Sequence, residues 1–218
     1  MPTRKVPEGT VIRLCDYLRA LTMMERRAQR RTSSSEIARW AGVKASQVRK
    51  DLSYFGEFGR RGLGYEVPLL RAQIQDILGV HRHRPTIVVG AGNLGSALAR
   101  YGGFGDRGFQ LVAAFDTSPE RIGQTLGEVD ILPLSELGPL VRERGVEIAL
   151  IAVPAAAAQP VAELVVGAGV RAIINFAPVL LTLPAGVKLR NVDLARELET
   201  LCYYLPATDS EEPEIPGS

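Results

Sequence analysis

Thr86-Ile87-Val88-Val89-Gly90-Ala91-Gly92-Asn93-Leu94-Gly95 is the stretch on which the reading of this chain turns. Four residues suited to a buried strand run straight into three glycines spaced G-x-G-x-x-G, and Ser96–Tyr101 then reads as a helix. Glycines at these places let backbone N–H groups approach a pyrophosphate; the plainer alternative is glycine used only for turning and packing. The wider context fits a nucleotide site. A second strand, Leu111–Phe115, ends at Asp116, 21 residues past the last glycine, where a carboxylate can accept from the adenosine ribose hydroxyls. The same carboxylate repels a 2′-phosphate and Thr117 supplies no cation to offset it, so NADH and NAD⁺ are expected in preference to their phosphorylated forms.

Outward from that block, strands are expected at 129–132, 146–153, 170–176 and 187–192, alternating with helices at 135–144, 157–168 and 194–204. Such alternation implies α/β architecture, a Rossmann-type doubly wound parallel sheet, with ligands at the carboxyl ends of the strands. Those ends are Gly90–Gly95, Asp116, Val153-Pro154 and Asn175-Phe176. The candidate cofactor-binding residues are therefore Gly90, Ala91, Gly92, Asn93, Leu94, Gly95, Asp116, Val153, Pro154, Asn175 and Phe176.

Upstream, the charge changes sign. Residues 1–84 carry 17 Lys and Arg against 8 Asp and Glu, whereas residues 85–218 carry 9 against 16. A basic module attracts a polyanion, nucleic acid above all, because each phosphate neutralised releases counterions. Its pattern is helical: residues 10–27, then a short helix at 35–41 with Ser33, Ser34, Ser35 and Glu36 as capping chemistry, a turn at Gly42, and a third helix at 45–55. The run Arg26, Arg27, Arg30, Arg31 is read as closing the first helix, and Trp40 as core. Short helix, glycine turn and longer helix make a helix-turn-helix. Val48, Leu52 and Phe55 share one face, leaving Gln47, Arg49, Lys50, Ser53 and Tyr54 for base edges and phosphates, or simply for solvent. Lys44 stands where Ser or Thr would be the usual cap. Phe58–Val67 reads as a β-hairpin wing with Arg60 and Arg61 at its tip, and a helix through Leu69–Leu78 ends at Gly79.

The expected domains are 1–84, a winged helix-turn-helix; 85–192, the nucleotide domain; 193–205, a C-terminal helix; and 206–218, a disordered acidic tail. No signal peptide or membrane span is read, and Cys15 and Cys202 stand alone as packing residues, which places the chain in a reducing cytoplasm. No metal-ligand spacing is present.

Taken together, the stretch from Gln47 through Lys50-Asp51-Leu52-Ser53-Tyr54-Phe55-Gly56-Glu57-Phe58-Gly59-Arg60-Arg61-Gly62 to Val67, followed by Gly90–Gly95 and Asn175-Phe176-Ala177-Pro178, closely resembles the Rex family of bacterial redox-sensing transcriptional repressors. The resemblance spans about residues 6–205. It implies a homodimer that binds a palindromic DNA operator when NADH is scarce and releases it on binding NADH. It also implies a C-terminal helix exchanged between subunits, Tyr101 near the nicotinamide, and Asp193 pairing alternately with Tyr101 or with Arg19 of a partner subunit. Catalytic residues are not expected. Three other readings stay open. A dehydrogenase would need an acid or base near its substrate, yet beyond the linker there is no His and only Lys188 among lysines. A DNA-binding protein answering another adenine nucleotide or coenzyme A would share the fold, and a nucleoid protein would ignore nucleotides altogether.

Overall fold

The computed structural model describes residues 6–59 and 63–205. By its internal contacts the chain divides into two units. Residues up to Arg84 group with Gly103–Gln110, and Pro85–Gly102 group with the residues from Leu111 onward.

In the first unit, helix α1 (Glu8–Arg26) buries Leu14, Tyr17, Leu21 and Met24, a spacing of three and four that makes one apolar stripe. The helix stops where Ala28 takes a left-handed conformation (φ 57) and the amides of Ala28 and Gln29 bond back to Glu25 and Met24. The arginine run is thereby divided, since Arg31–Thr32 forms a strand, β1, outside the helix. Helix α2 (Ser34–Ala41) is capped by the Ser33 hydroxyl accepting from the Glu36 amide, and Gly42 (φ 65) closes it. Helix α3 (Ala45–Leu52) carries Val48 and Leu52 into the core and has no side-chain cap at Lys44.

One expectation changes here. Helix α3 ends at Leu52 rather than Phe55, because the amides of Tyr54 and Phe55 bond to Asp51 and Leu52, three residues back, and the Ser53 hydroxyl donates to the Lys50 carbonyl. The far arm of the expected wing has a strand partner outside the wing. Strand β2 (Tyr65–Glu66) pairs antiparallel with β1, Arg31 opposite Glu66 and Thr32 opposite Tyr65. Glycine permits that pairing, since a Cβ on Gly64 would strike the Thr32 carbonyl and one on Gly59 would strike the Gly64 carbonyl. Gly59 and Gly64 thus bring the two ends of the loop together, while Arg60 and Arg61 lie outside the described residues. Helix α4 (Val67–Leu78) then buries Leu70 and Ile74 and ends at left-handed Gly79.

The second unit is built on a seven-stranded sheet. Its strands are β3 (Arg84–Val89), β4 (Phe109–Asp116), β5 (Thr125–Leu126), β6 (Val129–Pro133), β7 (Ile148–Ile151), β8 (Ala172–Asn175) and β9 (Lys188–Asn191), in the spatial order β5-β6-β4-β3-β7-β8-β9. The β4–β6, β3–β7, β7–β8 and β8–β9 pairs are parallel, with Val89 opposite Ile151 and Ile151 opposite Asn175. The short hairpin partner β5 was not anticipated. Helices α5 (Asn93–Ala99), α6 (Leu137–Arg144), α7 (Ala155–Ala168) and α8 (Leu194–Cys202) complete the alternation. One cluster joins Ile87, Val89, Phe115 and Ile151 to Leu137, Val161 and Val165, and another joins Ala91 and Ala114 to Leu126 and Ile131. From β3 the strand order runs outward in both directions, so the crevice beyond the carboxyl ends of β3 and β7 is the topological switch point.

Candidate functional site

The loop leaving β3 has three glycines in three different settings. Gly90 sits at φ 98 against the backbone of Ala152, where its amide reaches the Phe115 carbonyl at 2.7 Å. Gly95 packs so tightly that a Cβ would collide with the Gly90 carbonyl. Gly92 is the contrary case. The nearest atom to a Cβ there would be Arg121 Nη1 at 3.9 Å, so the packing of the loop does not by itself require glycine here. Ala91 is buried, whereas Asn93 and Leu94 at the start of α5 are exposed.

Asp116 closes the next strand, 9% exposed, and its carboxylate organises the loop. Oδ1 accepts from the Thr117 and Ser118 amides, each at 2.8 Å, and Oδ2 accepts from the Ala91 amide at 2.7 Å and Arg121 Nη1 at 3.3 Å. Burial alone would raise this carboxyl's pKa, but the amide hydrogens of Ser118, Ala91 and Thr117, with Arg121, hold it below the ordinary value. The sequence reading found no cation near this acid. The structure corrects that: a turn in which the Arg121 amide bonds to the Ser118 carbonyl swings the guanidinium back over Asp116.

At the ends of the neighbouring strands, Val153 is half-buried and Pro154 is the exposed residue that opens α7. Asn175 is wholly buried. Its Nδ2 donates to the carbonyls of Ala177 and Val179 and to Asn191 Oδ1, and its Oδ1 accepts from the Ala177 amide. It therefore shapes the Asn175–Val179 loop instead of presenting an amide to a ligand, and half-buried Phe176 is the side chain that loop holds at the strand end. Tyr101 is 56% exposed just beyond α5. Asp193 opens α8, its Oδ1 accepting from the amides of Ala195 and Arg196. Exposed Leu194, Leu198 and Leu201 line one face of that helix, followed by exposed Tyr203, Tyr204 and Leu205.

In the first unit, Arg49, Lys50 and Ser53 are exposed on α3 and the turn after it, and Tyr54 is half-buried. Arg49 Nη1 donates to Ser34 Oγ at 2.8 Å. Arg19 is exposed on α1. Gln47 is half-buried, its amide donating to Asp51. Sequence reasoning passed over Asp51 itself, a fully buried carboxylate that nothing in the local pattern distinguishes from a solvated helix acid. Two further readings are corrected. Trp40 is 44% exposed and stacks under Arg27, 5.1 Å from the ring centroid, because the side of α2 facing α1 is taken by Ile37 and Ala38. Cys15 and Cys202 are exposed, not packed.

Known proteins similar to this chain cover both units. Residues 5–53 match a family model described as putative DNA-binding protein N-terminus, and residues 81–179 one described as CoA binding domain. The Redox-sensing transcriptional repressor Rex of Desulforamulus reducens is 47% identical over 205 residues, 94% of this chain and 98% of that protein. That of Carboxydothermus hydrogenoformans is 49% identical over 201 residues, 92% and 97% of the two chains. This chain belongs to the Rex family of redox-sensing transcriptional repressors. Among solved Rex-family structures, RSP in complex with β-NAD⁺ and operator DNA superposes with a TM-score of 0.87 at 36% identity, covering 93% of each chain. RSP in complex with β-NADH gives 0.83 at 35% identity, covering 93% of this chain and 95% of RSP. Rex proteins are repressors rather than enzymes, so the dehydrogenase reading falls. No helix among the described residues is long and apolar enough to cross a membrane.

Proposed function

We propose that this protein is a homodimeric repressor of the cytoplasm that holds a palindromic operator when NADH is scarce and releases it when NADH binds. The observation that carries the reading is likeness over nearly the whole chain to RSP, solved both with NAD⁺ on operator DNA and with NADH. Arg49, Lys50, Ser53 and Tyr54 would meet the DNA from α3 and its turn, with Arg60 and Arg61 on the wing. The loop Gly90–Gly95, Asp116, Val153, Pro154 and Phe176 would hold the dinucleotide, with Asn175 shaping the pocket and Tyr101 beside the nicotinamide. The unpartnered apolar face of α8 supports exchange of this helix between subunits, which would bring Asp193 to Tyr101 or to Arg19 across the dimer.

NAD⁺ and NADH differ by one charge, at the nicotinamide, so the pyrophosphate loop cannot distinguish them. A carboxylate about 4 Å from the ring charge feels roughly 4 kcal/mol at an effective dielectric near 20. A fraction of that suffices, since a coupling of about 1–3 kcal/mol changes affinity roughly 5- to 150-fold. The dimer would convert the difference into spacing, because two reading helices engage together only when they match one turn of B-DNA, about 34–36 Å.

Operator binding titrated with NADH, NAD⁺ and NADPH tests this. NADH should release the DNA at concentrations where NAD⁺ does not, and equal effects of the two would remove redox sensing. The family model's description keeps coenzyme A as a rival ligand; calorimetry with coenzyme A beside NADH decides between them.

A further inference from the structure

The first unit contains a polar knot centred on a carboxylate to which no part in DNA binding has been given. Asp51, on α3, is 0% exposed and accepts five hydrogen bonds. Thr10 Oγ1 lies at 3.0 Å, Arg13 Nε at 2.6 Å and Nη2 at 2.7 Å, Tyr17 Oη at 2.8 Å, and Gln47 Nε2 at 2.9 Å. Four of the five come from α1, three residues spaced so that they line one side of that helix over two turns. The guanidinium grips both carboxylate oxygens in a two-toothed fork, the geometry that fixes direction as well as distance.

The fifth bond sets an orientation. Only the nitrogen end of an amide can donate to a carboxylate, so Asp51 decides which way the Gln47 amide is turned. With one N–H directed at Asp51, the second N–H and Oε1 are left for another partner. One donor and one acceptor on a single amide is the pair that recognises the N7 and N6 edge of adenine in the major groove. Gln47 is only half-buried and lies one turn before exposed Lys50 on α3.

We infer that Asp51 is a positioning residue for operator recognition: it clamps the reading helix to α1 and presets the Gln47 amide to read one base pair. This inference rests on the DNA-binding reading above. It differs from a purely stabilising role in one respect, since losing a clamp that presets one side chain changes preference at one base pair and not merely overall affinity.

The experiment measures binding of the full chain to its operator and to a panel of operators each altered at one base pair, with calorimetric NADH binding as a check on folding. Asp51→Asn and Gln47→Ala should each lower operator affinity, and both should lose about tenfold of discrimination at the same base pair, with NADH affinity unchanged. Should Asp51→Asn not fold, the double variant Thr10→Val with Tyr17→Phe removes two of the five donors while keeping both charges. It should weaken operator binding and blunt the preference at the pair that Gln47→Ala exposes. Wild-type affinity and preference in Gln47→Ala, or a loss that is uniform across the panel in the Asp51 or double variant, overturns the inference. Failure of the wild-type chain to bind any operator in the panel would instead overturn the DNA-binding reading.

Discussion

Among the described residues each unit of this protein buries one carboxylate, and the two are satisfied in opposite ways. Asp51 is surrounded by side chains, four donors from a helix more than thirty residues upstream and one from its own helix. Asp116 is surrounded chiefly by the main chain, with three amides from the glycine loop and the adjoining turn, and Arg121 as its only side-chain donor among the described residues. The lesson concerns what each carboxylate holds in place. A side-chain network fixes one helix against another and is broken by any single truncation. A main-chain network fixes the path of a loop, and it survives replacement of neighbouring side chains as long as the glycines that permit the path remain.

That contrast predicts where the molecule is fragile. Asp51→Ala should be the most damaging change, costing about 3–5 kcal/mol of stability, because it leaves the part-buried Arg13 guanidinium and the buried Tyr17 hydroxyl without their acceptor. Urea unfolding of the first unit measures it, and a cost near that of an ordinary surface acid would erase the comparison. Next comes Gly95→Ala, whose methyl would press on the Gly90 carbonyl and cost about 3 kcal/mol, with nucleotide binding lost in calorimetry; truncating exposed Leu94 should leave the loop intact.

Acid should weaken the first of these sites. Burial works against the ionised form of Asp51, yet the bonds from Arg13, Tyr17, Gln47 and Thr10 outweigh it and bring its pKa down to about 2 from 3.8. A group depressed in the folded state contributes above its unfolded pKa and loses that contribution as the pH falls towards the folded one. Roughly 2 kcal/mol of stability should therefore disappear between pH 4 and 2, and Asp51→Asn should flatten that slope when unfolding is followed across the window. The smallest effect belongs to the exposed Arg27–Trp40 stack. Trp40→Ala should cost about 0.5–1 kcal/mol in thermal unfolding, showing how little a charged contact in the same module is worth once solvent reaches it.

Much of this was legible because it depends on neighbours in the chain. Gly90–Gly95 between a β-branched strand and a helix, the Ser33–Glu36 cap and the left-handed glycines 42 and 79 are each specified within a few residues, and the structure has them at those places. What escaped was non-local. Arg31–Thr32 is a strand only because Tyr65–Glu66 lies beside it, and Trp40 is exposed only because two smaller residues already fill the side of α2 that faces the core. Arg121 reaches Asp116 through a turn whose direction no spacing rule gives.

By itself, then, the order of residues determined the two modules, the glycine loop with its acid, and the helix-turn-helix, since backbone sterics, capping and apolar periodicity act over one or two turns of chain. Only the folded arrangement decided that Asp51 is the buried centre of the first unit and that Asn175 shapes a loop. A carboxylate or an amide carries the same chemistry whether solvated or enclosed, and which of the two it becomes is settled by the residues that packing brings against it.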